Sequence, residues 1–275
     1  LRNIGSNNSK TSGGIDAINQ KIEINDHSSG NLYSGIVSSS NSDGAGGNVN
    51  VNSSESIRLY GKSEIASTSK GGGSGGNIFI KTESLLLNGE SNSRPAYILS
   101  QSESSGGAGG LDISVGRSVD LLPNSFLSSV AISEGSGGSI QLKSNGSFNM
   151  YGGSSLFTES YGGGNSGDVL INSKNINLTG DGPLHAASIY SQSSSSGGSG
   201  SLVVKSVNQI FLGGNSSIYT ESKGSGSSGI IDVESNYIEM RGGGVGSAAG
   251  IYSFSDLKGG SSGSITLLGK RGLSM

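Results

Sequence analysis

Few residues in this chain have the chemistry to act on a substrate. There is no cysteine, which removes disulfides and thiolate metal sites, and histidine occurs only twice, as His27 and His185. Two histidines serve as metal ligands or as an acid–base couple only where their rings meet. These two fall in different repeat units, in insertions at a corner of each unit, so solvated loop positions are expected for both. Gly71, Gly73 and Gly76 have the Gly-x-Gly-x-x-Gly spacing of a phosphate cradle. The following Asn77-Ile78-Phe79-Ile80 reads as a strand, so no helix N-terminus awaits a phosphate. Gly61-Lys62-Ser63 lacks the upstream glycine of a P-loop. The turn from Gly106 to Asp112 lacks the Asp that a calcium-binding nonapeptide repeat requires, and the other turns carry Ser or Asn. Neither a metal nor a cofactor is expected, and no catalytic residue is assigned.

Composition narrows the remaining classes. Of 275 residues, 50 are Gly and only 31% are apolar, against ~45–50% in an ordinary globular domain. With 17 basic and 20 acidic residues the net charge is −3, which gives no electrostatic case for nucleic acid. No apolar run approaches the ~18–20 residues of a membrane span. The opening Leu1-Arg2-Asn3-Ile4 is neither an initiator Met nor a signal peptide, and the chain reads as a piece of something longer. Gly/Ser-rich chains without a period are flexible linkers; with a period they are repeat proteins.

A period is present. The pattern Gly-x-apolar-x-apolar recurs as Gly47-Asn48-Val49-Asn50-Val51, Gly76-Asn77-Ile78-Phe79-Ile80, Gly109-Gly110-Leu111-Asp112-Ile113 and Gly138-Ser139-Ile140-Gln141-Leu142. It continues from Gly167, Gly200, Gly229 and Gly263, with a weaker first copy at Gly13. Gly47 to Gly76 is 29 residues, Gly76 to Gly109 is 33, and the full range is 29 to 34. Each unit holds a second alternation such as Ile57-Arg58-Leu59 or Ile176-Asn177-Leu178, and a third of the form apolar-x-Ser/Thr-x-Ser, as in Ile98 to Ser102 and Ile189 to Ser193. The unit from Gly109 departs, with Phe126-Leu127-Ser128-Ser129 in the third place.

Period-2 alternation bounded by Gly, Asn and Ser is the mark of short half-buried strands, and no window carries a helical stripe. The extra residues of the longer units fall after the second strand, as in Asp181-Gly182-Pro183-Leu184-His185, a corner where a stack tolerates insertion. The expected fold is an all-β parallel β-helix of about eight coils, three short strands in each, roughly 40 Å long at ~4.8 Å per coil. Residues 1–12 read as a lead-in or part of a preceding coil. Residues 13–275 form the array, with units starting near 13, 47, 76, 109, 138, 167, 200, 229 and 263.

If the apolar residues point inward, the first strand shows outward Asp16, Asn50, Phe79, Asp112, Gln141, Leu170, Val203, Asp232 and Thr266. The second shows Glu23, Arg58, Leu86, Asp120, Asn149, Asn177, Phe211 and Glu239, with Glu23 and Arg58 placed to pair across coils. Polysaccharide-cleaving β-helices need two or three carboxylates on one face, and these columns hold no such cluster. An enzyme is not expected. The third strand is richer: Phe157, Tyr190, Tyr219 and Tyr252 lie outward on four consecutive coils. They form either an aromatic ladder that stabilises the stack or, with Glu159, Gln192 and Glu221, a strip that holds glycans. The inward Ser67, Ser100, Thr158, Ser191, Thr220 and Ser253 form a hydroxyl column with a structural role.

Gly75-Gly76-Asn77-Ile78-Phe79-Ile80 followed by Leu85-Leu86-Leu87-Asn88-Gly89, then Ile-x-Ser/Thr-x-Ser and a Gly-rich tail, resembles the repeat region of filamentous-haemagglutinin-like exoproteins, much like cyanobacterial versions. The resemblance covers nearly the whole chain. It implies a right-handed β-helix and export through the outer-membrane pore of a two-partner secretion system. It also implies an extracellular or bacterial outer-surface location and a role as a stalk or adhesin, with surface glycans or cell receptors as partners. The family's N-terminal secretion domain, with its Asn-Pro-Asn-Gly-type motif, is absent, and unaided secretion of this piece is not expected.

Overall fold

The structure, a computed structural model, describes residues 2–5 (backbone only), 13–28, 32–90, 94–182, 185–243, 246, 248–256 and 259–275. All of its regular structure is strand, and among the described residues no helix is long and apolar enough to cross a membrane. The strands form two parallel sheets. The long sheet contains β2 (Ile15–Asp26), β4 (Val49–Gly61), β6 (Ile78–Asn88), β8 (Leu111–Leu121), β10 (Ile140–Ser144) with β11 (Ser147–Tyr151), β13 (Val169–Thr179), β15 (Leu202–Gly213), β17 (Ile231–Arg241) and β19 (Ile265–Ser274). The short sheet contains β1 (Arg2–Gly5), β3 (Ser34–Ser40), β5 (Ser63–Ser69), β7 (Ala96–Ser102), β9 (Ser125–Ala131), β12 (Ser155–Ser160), β14 (Ala187–Ser193), β16 (Ser216–Ser222) and β18 (Gly250–Ser255).

Every strand pairs in parallel with its equivalent one repeat away, so the chain is a β-solenoid, a parallel β-helix. The expected first and second strands are one strand in most coils. They run through a bend at which the register shifts, as between Asn52 and Ser56 or Ser173 and Asn175. One to three polar residues between two apolar alternations bend a strand without ending its ladder. Buried hydroxyls satisfy the backbone there: Ser173 donates to the Gly146 carbonyl at 2.8 Å and Ser144 to that of Arg117 at 2.8 Å. The coil from Gly138 alone breaks at this bend, into β10 and β11.

The inward residues of both sheets form one continuous core. In the coil from Gly47, Val49, Val51, Ile57, Leu59 and Ile65 all have no exposed surface. Burying each such side chain contributes about 1.5–3 kcal/mol. Two further columns hold the coils at their spacing. The first is the glycine that opens each unit. A Cβ added at Gly76, Gly109, Gly138, Gly167, Gly200, Gly229 or Gly263 would lie 2.0 to 2.4 Å from the carbonyl oxygen of the equivalent glycine one coil back.

The second is the hydroxyl column. Ser67 donates to the Gly47 carbonyl (2.9 Å) and accepts from the Gly76 N–H (2.9 Å). Ser38, Ser100, Ser129 and Ser191 repeat this bridge between the opening glycines of successive coils. Thr158 and Thr220 instead donate to the next glycine's carbonyl, at 2.5 and 2.9 Å. Glycine at the start of a unit and Ser or Thr in its third strand are therefore two halves of one contact.

Candidate functional site

The outer face of the short sheet carries the aromatic strip. Register pairing sets Phe157, Tyr190, Tyr219 and Tyr252 at one level on β12, β14, β16 and β18. The first three rings stack, Phe157 on Tyr190 at 4.9 Å and 2°, and Tyr190 on Tyr219 at 4.9 Å and 8°. Tyr252 does not continue the ladder. Its ring turns back over Gly250, where a Cβ would meet the phenol oxygen, and Phe254 stacks on Tyr219 instead, at 6.1 Å. The three preceding coils carry Ser155, Ser188 and Ser217 at the level of Gly250, which block that turn.

The polar groups beside the strip are held by one another. Glu159, 9% exposed, accepts from the Tyr190 hydroxyl at 3.1 Å and from the Tyr161 hydroxyl at 2.8 Å. Gln192 donates to Glu221 (2.9 Å) and accepts from Lys223 (2.9 Å), and Lys223 also faces Glu221 at 3.6 Å. Burial, reinforced by the Glu159 charge, pushes the Tyr190 phenol well above its usual range. Burial, then the Glu221 and Glu159 charges, does the same for Tyr219, and burial with the Glu159 hydrogen bond raises Tyr161 to about 12. All three are neutral at physiological pH, and Tyr161 and Tyr190 donate to Glu159. The Phe157, Tyr190 and Tyr219 rings are covered by one another, and the Tyr161 and Tyr190 hydroxyls are taken by Glu159.

The ladder stops at Ser128, the register partner of Phe157 one coil back. Phe126 approaches Phe157 only edge-on, at 6.5 Å and 76°. Beside this unfilled rung lies an apolar hollow of about 430 Å³ lined chiefly by Tyr97, Leu99, Phe126, Ile132, Phe157 and Tyr161. Sequence reading missed it because Tyr97 and Phe126 sit one same-face position before the Phe157 level, in the coils whose third strands lack the Tyr. The signal was the Ser at that level, flanked by Phe126 and Val130.

The other candidates lie apart. His27 contacts Glu90, and His185 bridges back to Asp181 at a corner five units further on. Pro183 and Leu184 of that insertion lie outside the described residues. Gly71 and Gly73 pack on the turn of the preceding coil, where a Cβ would strike Ser42 and Gly44 backbone. Glu23 and Arg58 are register partners as expected, with no ion pair between them among the described residues. Asp120, Asn149 and Asn177 form an amide ladder through bonds of 2.7 and 2.8 Å. One carboxylate pair escaped the sequence reading, Asp232 and Glu234, which both face Lys205, at 3.7 and 3.0 Å. Among the described residues, no three His, Cys, Asp or Glu side chains converge as metal ligands. Comparison with protein-family models, with curated proteins and with solved structures returned no match.

Proposed function

We propose that this chain is a non-catalytic stalk or adhesive repeat segment of a large secreted bacterial surface protein, held outside the cell or on its outer face. The observation that carries this reading is the use of conspicuous side chains for stacking coil on coil. Phe157, Tyr190 and Tyr219 cover one another, Glu159 accepts two phenols, and the serine column bridges glycines. A module spent in this way sets distance and stiffness. The resemblance to filamentous-haemagglutinin-like repeats supports the same reading and supplies its partners, an outer-membrane secretion pore and surface glycans or receptors.

The test is removal of one coil, residues 138–166, which joins Gly109–Gly137 to Gly167 in register. A spacer keeps its cooperative melt and shortens by about 4.8 Å. Loss of the fold, or turnover of a panel of neutral and anionic polysaccharides by the intact chain, overturns the proposal. The glycan-strip alternative requires lost neutral-glycan binding with an intact fold when Tyr190 and Tyr219 become Ser. The stacking geometry favours lost stability instead.

A further inference from the structure

The long sheet has a second outward column, just before its bend. In register it reads Asn52, Lys81, Ser114, Lys143, Asn172, Lys205 and Glu234. Lysine occupies every second coil, so neighbouring lysines stand about 9.6 Å apart along the axis, with a hydroxyl or an amide between them. Lys174 enters at the bend itself. Two hollows of about 440 and 510 Å³ follow this column and meet at Lys143 and Asn145, making one groove along the rod.

The groove is locally basic in a chain with more acid than base. Its walls carry Lys81, Lys143, Lys174, Lys205 and Lys270 against Glu83 and Glu234. The two carboxylates are already matched: Glu234 holds Lys205 (3.0 Å) and Lys270 (2.5 Å), and Glu83 faces Arg117 at 3.2 Å. Lys81, Lys143 and Lys174 are exposed and have no carboxylate at ion-pair distance among the described residues.

We propose that this groove binds a linear acidic polysaccharide bearing a carboxylate on alternate sugars, laid along the rod axis. Such a chain presents successive carboxylates to Lys81 and Lys143, with Lys174 beside them, while its neutral sugars offer hydroxyls to Ser114 and Asn172. A nucleic acid strand fits less well. In a duplex each strand carries a phosphate about every 3.4 Å, and for a single strand the groove offers no aromatic platform on which bases stack. The inference concerns a ligand of the rod and holds whether or not the rod acts as a stalk.

The test uses the whole chain and four probes: a hyaluronan dodecasaccharide, with alternating carboxylates; a fully carboxylated polygalacturonate of equal length; neutral dextran; and oligo-dT. Hyaluronan binds at about 50 mM salt and weakens about tenfold or more by 300 mM, because exposed charge pairs are screened. The triple variant K81Q/K143Q/K174Q loses binding about tenfold, since contacts along one chain reinforce one another. The charge-matched control K21Q/R58Q/K70Q keeps it, and both variants keep the melting temperature. Equal loss in the control, equal or tighter binding of polygalacturonate or oligo-dT, or no hyaluronan binding at low salt overturns the proposal.

Discussion

The Ser100 hydroxyl accepts a 2.8 Å hydrogen bond from the backbone N–H of Gly109, the residue that opens the next coil. The same hydroxyl donates to the carbonyl of Gly76, the residue that opens its own coil, at 2.9 Å. Ser100 has no exposed surface, so water does not replace either bond. Coil spacing is thereby fixed at the third strand by a side chain as well as along the ladders by backbone.

Replacing Ser100 with Ala strands a carbonyl and an N–H in a dry interior, at about 1–3 kcal/mol for each group left unpaired. Thermal melts followed by circular dichroism should show a fall of about 2–4 °C per kcal/mol lost. Ser225→Ala, at an exposed turn position, should stay within about 0.5 kcal/mol of the parent. Equal effects from the two would remove the hydroxyl bridge as a stabilising device.

Two glycines separate crowding from backbone conformation. A Cβ at Gly109 falls 2.3 Å from the Gly76 oxygen, so Gly109→Ala must push coils apart and should cost about 3 kcal/mol or more. Gly182 has φ +69° and nothing within 4 Å of its Cβ position, so Gly182→Ala should cost only about 1–2 kcal/mol. Denaturant midpoints measured on both variants give the order, and the reverse order contradicts the stacking account.

Ser128 stands where the ladder lacks a ring. In Ser128→Tyr the new ring should stack on Phe157, fill the hollow beside it and add about 0.5–1.5 kcal/mol. The expected sign is a higher melting temperature with a stronger near-ultraviolet tyrosine signal. A lower melting temperature shows that a ring at this level does not fit the register.

Alkali should loosen the rod. The phenols of Tyr161, Tyr190 and Tyr219 lie above their ordinary value of 10 in the folded chain, so the native state keeps protons that the unfolded state releases. Their contribution is therefore fully present below pH 10 and is lost as pH rises through the folded values, the first near 12 for Tyr161. Melting temperature should fall from pH 10 upward, with phenolate absorbance of these residues appearing only on unfolding. Tyr190→Phe should flatten that fall. A melt independent of pH from 9 to 12 is the opposing result.

The spacing of Gly-x-apolar-x-apolar made the parallel stack readable, because the step of each coil is set by a residue type that only backbone crowding demands. Phe157, Tyr190 and Tyr219 were readable for the same reason, since parallel register carries sequence period directly into space. Tyr252 was not: whether a ring stacks or turns back depends on Gly250, two residues away on the same face. The fusion of the first two strands was also hidden, as a polar residue that bends a strand looks like one that ends it. The lysine column was within reach. It occupies the position after the second apolar residue of each unit, two residues beyond Phe79, Asp112 and Gln141 and the next outward position on the same strand.

Backbone amide exchange tests the central claim, a stack clamped by serine between its opening glycines, most directly. The account predicts slow exchange at Gly76, Gly109, Gly138 and Gly200, each of which donates to a buried serine hydroxyl. It further predicts that Ser100→Ala accelerates exchange at Gly109 and its neighbours far more than at Gly200. Fast exchange at these glycines in the parent chain, or a uniform acceleration along the rod in the variant, would contradict it.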